Sequence, residues 1–263
     1  MTAPTRIGNG TFSPRPGTAT TVSMIASQAR MEIRLLIRNG EQVVLAVVIP
    51  MLALVGGTVA ADRLDIGGNR PVDVLTPGVL ALAILSTSFT SLAIGTGFER
   101  RYGVLKQLGV TPLPRAGLLA GKVLSLLTVQ LGQLALICAV AAALGWRPTL
   151  TAAAVLAALV LWCTGSAAFA AWALLIAGTL RAEATLALSN LVFVLLLAGG
   201  AVLAPATTYG AAAGFVRVLP SGALAEGLRD ALAHGRVDGA AIVVLLVWAV
   251  VGSIATSRTF RWE

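Results

Sequence analysis

Apolar positions along the chain gather into six long runs separated by short polar breaks, at about residues 42–61, 74–97, 119–144, 150–180, 185–205 and 239–257. Each run reaches the roughly 20 residues that a helix needs to cross a bilayer core. The pattern therefore predicts an all-α integral membrane fold with six transmembrane helices. The fourth run is long enough to tilt or to project beyond the bilayer. Pro50 inside the first predicts a kink, which membrane helices tolerate because neighbours re-satisfy the freed backbone groups.

The breaks carry their own periodicity. In residues 23–40, Ile25, Ala29, Ile33, Leu36 and Ile37 recur on one helical face, while Arg30, Arg34 and Arg38 repeat every four residues on another. This spacing predicts an amphipathic helix lying in the membrane interface. Between the second and third runs stands Gly97-Phe98-Glu99-Arg100-Arg101-Tyr102-Gly103-Val104-Leu105-Lys106-Gln107-Leu108. Tyr102, Leu105 and Leu108 recur at helical spacing, so Glu99 to Leu108 is expected to form a short amphipathic helix. Thr111-Pro112-Leu113-Pro114 then turns the chain. From the residues alone, this segment reads either as an ordinary basic interfacial loop or as a docking helix. A stripe of Leu224, Leu228 and Leu232 marks a further helix between the fifth and sixth runs. Residues 1–22 are rich in Pro, Gly and Thr and lack the apolar core of a signal peptide; they read as a disordered tail.

Composition confirms the membrane class. Charged residues make up 11%, against about 25% in soluble domains, and mean hydropathy is +0.89. The net charge is +8, almost all from Arg, with Lys106 and Lys122 as the two lysines. An Arg-, Ala-, Gly- and Val-rich chain suggests a GC-rich bacterial source. With the N-terminus inside, the inner segments hold 13 basic residues against five acidic ones, and the outer segments six against six. The positive-inside rule then places both termini in the cytoplasm. The basic residues lie in short loops rather than on a soluble face, which argues against nucleic acid.

No Asp, Glu, Lys, Arg or His occupies the middle of a run, which disfavours an ion-coupled carrier or a charge-lined pore. Ala116-Gly117-Leu118-Leu119-Ala120-Gly121-Lys122-Val123 lacks the first Gly and the final Ser or Thr of a phosphate-binding loop. Cys138 and Cys163 read as small apolar core residues, and Trp146 and Trp248 as interfacial or lipid-facing. Without a nucleophile–base pair or paired membrane carboxylates, the chain is not expected to be an enzyme. Polar residues within the runs include Ser86-Thr87-Ser88-Phe89-Thr90-Ser91, Asn190, and Gln130 with Gln133. Most are expected to join helices, with Gln130 and Gln133 as interhelical glue ahead of a polar groove.

The stretch FERRYGVLKQLGVTPLPRAGLLAGK resembles the signature of type-2 ABC exporter permeases, the class that includes daunorubicin/doxorubicin-type drug-export permeases. Glu99, Arg100, Gly103, Leu105, Leu108, Thr111, Pro112, Leu113, Arg115, Gly121 and Lys122 match in register. Val104 departs from the commoner Thr, and Pro114 from a frequent Ser. Six spans with both ends inside, a long outer segment before the last span and a Phe260-Arg261-Trp262 terminus extend the likeness over nearly all the chain after residue 22.

The resemblance implies a permease domain over residues 23–263. It would contain a connecting helix (23–40), a coupling-helix loop (98–115) and short re-entrant helices in the outer segment 206–238. It implies two separate ATPase subunits that bind ATP and Mg, contacted through Glu99, Arg100, Tyr102, Leu105 and Lys106 together with Arg34 and Arg38. It implies a second permease copy, identical rather than a paralogue in the preferred reading, and a substrate path past Ser86, Phe89, Thr90 and Asn190. The chain itself would carry no cofactor and no metal. The expected activity is outward export of hydrophobic or amphipathic compounds across a bacterial cytoplasmic membrane. The alternatives are export of a lipid-linked glycan or envelope lipid, or a non-transporting anchor.

Overall fold

The computed structural model describes residues 19–38, 40–63, 70–108 and 114–260, and within these it is helical with no strand. The tail before residue 19, the Thr111-Pro112-Leu113 turn and the last three residues lie outside the described residues, as do the side chains of Leu105 and Arg115. The first helix, α1, is Thr21–Arg38, and α2, Gly40–Arg63, contains Pro50. The second span is one helical rod, Pro71–Arg101, built from α3 (Pro71–Leu85), a π-helical turn (Ser86–Ser91) and α4 (Leu92–Arg101). A short α5, Val104–Leu108, follows. Then come α6 (Arg115–Ala143), α7 (Ala152–Thr179) and α8 (Ala182–Gly199). A 3-10 turn at Ala206–Ala212 leads into α9 (Ala213–Val218), α10 (Pro220–His234) and α11 (Gly239–Thr259).

Among the described residues, five helices are long and apolar enough to cross a membrane: Pro71–Arg101, Gly117–Ala143, Ala152–Thr179, Ala182–Gly199 and Gly239–Thr259. The first expected span corresponds to α2, which carries the apolar stretch Val47–Ala61. Two expected boundaries move. The second span runs on to Arg101 rather than stopping at 97, because Arg100 and Arg101 find partners beyond the apolar run. The fifth stops at Gly199 rather than 205. Gly199-Gly200 favours leaving the helix, and Ala201 then takes a left-handed φ of 53°.

Local sequence sets the helix starts. Pro71 sits in the first turn of α3, where its missing N–H is not needed. Thr151 and Asp238 cap α7 and α11 by accepting backbone N–H groups through their side chains. Gly235, with φ of 65°, closes α10.

Helix α7 is the hub, packed against α11, α10, α3 and α4. Small residues permit the contact. A Cβ on Gly252 of α11 would stand 2.9 Å from Ala171 and Trp172 of α7, the close approach typical of membrane helix pairs. The expected helix of the outer segment is α10. It is inserted between α7 and α3, and Leu224, Leu228 and Leu232 are all buried. Trp146 is buried in the core, and Trp248 is half-buried against Trp172 with its Nε1 donating to the Val218 carbonyl. Trp146 therefore departs from the interfacial or lipid-facing expectation. Cys163 is exposed rather than in the core.

The two glutamines are indeed interhelical glue. Gln130 is fully buried, and its amide has four partners: it donates to Ser88 Oγ (2.7 Å) and the Ile84 carbonyl (3.3 Å), and accepts from Trp162 Nε1 (2.8 Å) and Ser166 Oγ (3.0 Å). Two donors and two lone pairs are its whole capacity. One side chain thus ties the second, third and fourth spans together. Gln133 accepts from Thr87 at 2.9 Å, one turn along. Replacing Gln130 by Leu is expected to cost about 2 kcal/mol, at roughly 0.6 kcal/mol per membrane hydrogen bond. Denaturant titration of the purified protein in lipid measures it.

Candidate functional site

The site lies at the end of the bundle that carries α1, α5 and the turn between α7 and α8. Helix α1 lies across α6. Gln28 and Ala29 form its buried face. The contact is close at Gly121, where a Cβ would stand 2.7 Å from Gln28 Cγ. Ile25, Ile33 and Leu36 are half-buried, while Ile37 is 66% exposed and so leaves the expected apolar face. Arg30, Arg34 and Arg38 point outward.

One lysine holds this arrangement. Lys122 Nζ donates to Glu32 of α1 at 2.9 Å and to Glu99 Oε1 of α4 at 2.7 Å. It lies as close to Glu99 Oε2, which receives no directed hydrogen bond. The Lys122 side chain is 7% exposed, and those of Glu32 and Glu99 12% and 24%. Gln28 donates to Glu32 at 3.0 Å, and Ser125 Oγ to the Lys122 carbonyl at 2.8 Å. Three helices thus meet on one buried ammonium. Buried charges persist only when paired.

The chain beyond Glu99 differs from the expected single helix over 99–108. Helix α4 ends at Arg101, and Gly103 takes φ of 71°. That left-handed conformation costs other residues roughly 1–2 kcal/mol, so the rod breaks at Gly103 and α5 starts afresh. Glu99 and Arg100 therefore belong to the end of the second span. Arg100 donates to the Leu180 carbonyl, and Arg101 pairs with Glu183 at the start of α8. These contacts clamp the end of the span to the α7–α8 turn. Tyr102 is 68% exposed, stacked on Phe98 at 6.1 Å with the Arg101 guanidinium at 5.9 Å from its ring. Lys106 and Gln107 are exposed too. Of the residues expected to meet an ATPase, Tyr102, Lys106, Arg34 and Arg38 face outward, whereas Glu99 and Arg100 are engaged within the chain.

A cavity of about 550 Å³ opens above the Lys122 node, between α1, α2, the second span and α6. Leu35, Leu36, Val47, Leu92, Val129 and Leu136 form much of its wall. Thr87, Ser91, Thr96, Ser125 and Gln133 add polar groups, and Glu32, Glu99 and Lys122 stand at its charged end. The expected path residues do not converge on it. Phe89 is 2% exposed inside the hydrophobic core, so it faces no open route. Ser86 and Thr90 are half-buried on the π-helical turn, a deformation frequent at functional positions. Asn190 is exposed on α8.

Sequence reasoning matched Lys122 in register and gave it no role. It also missed a second buried node at the opposite end, around Arg229 of α10. Arg229 donates to the carbonyls of Ala201 (2.7 Å), Val202 (3.0 Å) and Val74 (3.3 Å) and to Glu226 (2.6 Å). Burial pulls this guanidinium below its ordinary range, and Glu226 opposes the fall. The low hydropathy of α10 was the available signal.

The sequence profile described as ABC-2 type transporter matches residues 25–232. The chain belongs to the ABC-2 type transporter family. The match takes in most of α1, the Lys122 node, the cavity and almost all of α10. As an ABC-2 chain it is a permease component, which works with an ABC ATPase partner. No curated protein and no solved structure matches it.

Proposed function

We propose that this ABC-2 chain is the permease subunit of an ATP-driven exporter in a bacterial cytoplasmic membrane. Two copies assemble with two separate ATPase subunits, which bind ATP and Mg, and move hydrophobic or amphipathic compounds outward. The observation that carries this reading is the exposed surface at the α1 end. There Tyr102 and Lys106 project beyond a span whose last turn is clamped to its neighbours. An aromatic ring left 68% exposed at a charged helix end is the kind of anchor that protein interfaces use. The clamp lets a push on α5 reach the second span as a rigid displacement. The excess of arginine at this end supports a cytoplasmic position for it and for both termini. Arg34 and Arg38 extend the contact surface along α1.

The second copy is assigned to the α8 side. Only 17% of the apolar window of α8 is buried. Asn190 sits on that surface beside exposed Leu186, Leu191, Val194 and Leu195. A polar amide facing hydrocarbon is costly, and a partner helix satisfies it. Ser86, Thr90 and Asn190 remain the candidates for the path between the two copies.

The test is ATP hydrolysis and transport by the complex with its ATPase, reconstituted in lipid, with a panel of amphipathic compounds. Tyr102→Ala with Lys106→Ala is expected to cut substrate-stimulated hydrolysis and transport at least tenfold while the permease still inserts. Transport unchanged in that variant removes the coupling assignment. A stable complex whose hydrolysis ignores every compound points to a non-transporting anchor.

A further inference from the structure

We infer that the cavity above Lys122 is a loading site within each protomer, and that it takes an amphipathic molecule bearing one positive charge. The inference rests on the exporter reading and assigns it a substrate class and a place.

Three observations carry it. The first is the charge. Among the described residues, Glu32, Glu99 and Lys122 are the ionisable ones lining the cavity. Two carboxylates face one ammonium, so acidic groups outnumber basic ones at the charged end of the chamber. An unpaired buried charge is expensive, and a ligand cation beside Glu99 removes that cost. Glu99 Oε2, which receives no directed hydrogen bond although Lys122 Nζ stands 2.7 Å away, is the side of the pair with acceptor capacity left.

The second is a polar group without a partner. Thr96 is 3% exposed, lines the cavity, and its hydroxyl makes no hydrogen bond. Buried hydroxyls are normally satisfied, and a helix threonine usually bonds the carbonyl four residues back. Thr58 and Thr76 both do so here, at 2.7 and 2.6 Å. Thr96 is thus a polar point awaiting a ligand one turn from Glu99. Ser91 stands beyond it on the same rod, giving a few polar positions on an apolar wall.

The third is space. At about 550 Å³, the chamber lies within the roughly 300–1,000 Å³ usual for drug-sized ligands. Two glycines keep it open. A Cβ on Gly95 or Gly132 would meet nothing within 4 Å. Neither glycine is demanded by close packing, and a larger side chain at either position would occupy the chamber.

The complex in lipid nanodiscs, without ATP, is titrated with two fluorescent amphiphiles of similar size, cationic rhodamine 6G and an uncharged coumarin. Saturable binding favouring the cation is expected. Gly95→Leu and Gly132→Leu are expected to weaken it at least tenfold, and Glu99→Gln to erase the preference for charge. Ala167→Leu, which fills the adjoining groove between α6 and α7 at a position that does not line the cavity, leaves it unchanged. Gel filtration and thermal midpoints check that each variant folds; the glycine variants keep the test decisive if Glu99→Gln does not.

Binding that ignores both glycine variants, or that is equal for charged and uncharged probes, overturns the inference. So does a tightly held phospholipid that Gly95→Leu expels while rhodamine binding is untouched. If amphiphiles are exported but none binds here, this site fails and the exporter reading stands. If rhodamine binds in a cavity-dependent way but nothing is transported, the site stands and the exporter reading fails.

Discussion

Lys122→Met is expected to release α1 from the bundle and to destabilise the protein by about 3–5 kcal/mol, the usual cost of removing one member of a buried ion cluster. Among the described residues, Lys122 is the one cation that faces both Glu32 and Glu99, at 2.9 and 2.7 Å. Its loss leaves two carboxylates buried with no counter-charge, so the cost is their desolvation as much as the lost attraction. The same electrostatics sets a second, sharper expectation. Removing all three charges, as Lys122→Met with Glu32→Gln and Glu99→Gln, is expected to recover most of the loss, because no unpaired charge remains. Thermal midpoints in lipid for the single, double and triple variants check this, together with protease cleavage near Arg38 as a measure of α1 detachment. A single variant as stable as the wild type would show that the node does not hold α1.

The helices were legible because their signal is local. A run of some 20 apolar residues is its own evidence for a span, and the small residues that pack α7 lie within such runs. Boundaries were less legible where hydropathy and helix geometry disagree. The stretch Ala201-Val202-Leu203-Ala204 is apolar enough to continue the fifth span, but Gly199-Gly200 ends it. Conversely, Glu99, Arg100 and Arg101 are too polar to look like a span, and the rod carries them because Lys122, the Leu180 carbonyl and Glu183 receive them.

The break at Gly103 was hidden for a related reason: Tyr102, Leu105 and Leu108 keep helical spacing across it. The Lys122 node was not legible. Its members lie 90 and 23 residues apart, and a lone lysine near the end of a run reads equally well as a topology signal. Only the docking of α1 on α6 turns three scattered charges into one cluster. Thr96 illustrates the same limit, since an unsatisfied hydroxyl is a property of its surroundings.

Arg229→Met is expected to cost about 3 kcal/mol or more and to unseat α10, a loss as large as any at the α1 end. The reason lies in how α8 finishes. A helix ending near membrane depth leaves carbonyls without donors, and such groups must be satisfied within the protein. Beyond Gly199 the chain bends through the left-handed Ala201 and presents the Ala201 and Val202 carbonyls to Arg229. The guanidinium also reaches Val74 on α3, so it joins three elements through one planar fork. Close approach is possible because residue 78 is Gly: a Cβ there would stand 1.9 Å from the Val202 carbonyl oxygen and 2.7 Å from Arg229. Glu226 completes the node, accepting from Arg229 at 2.6 Å and from the Ala206 N–H at 3.2 Å.

Removing the guanidinium orphans the Ala201 and Val202 carbonyls and leaves Glu226 with the Ala206 N–H and, as a counter-charge, a distant, exposed Arg217 at 3.8 Å. Arg229→Lys keeps the charge but not the fork, and is expected to recover less than half of the loss. Glu226→Gln keeps the carbonyl contacts and is expected to cost less than Arg229→Met. Unfolding titrations in mixed micelles order the three variants. If Arg229→Lys matches the wild type, charge alone suffices and the fork is not what closes the end of α8. If Glu226→Gln proves the worst of the three, the node is held by its ion pair rather than by the carbonyls.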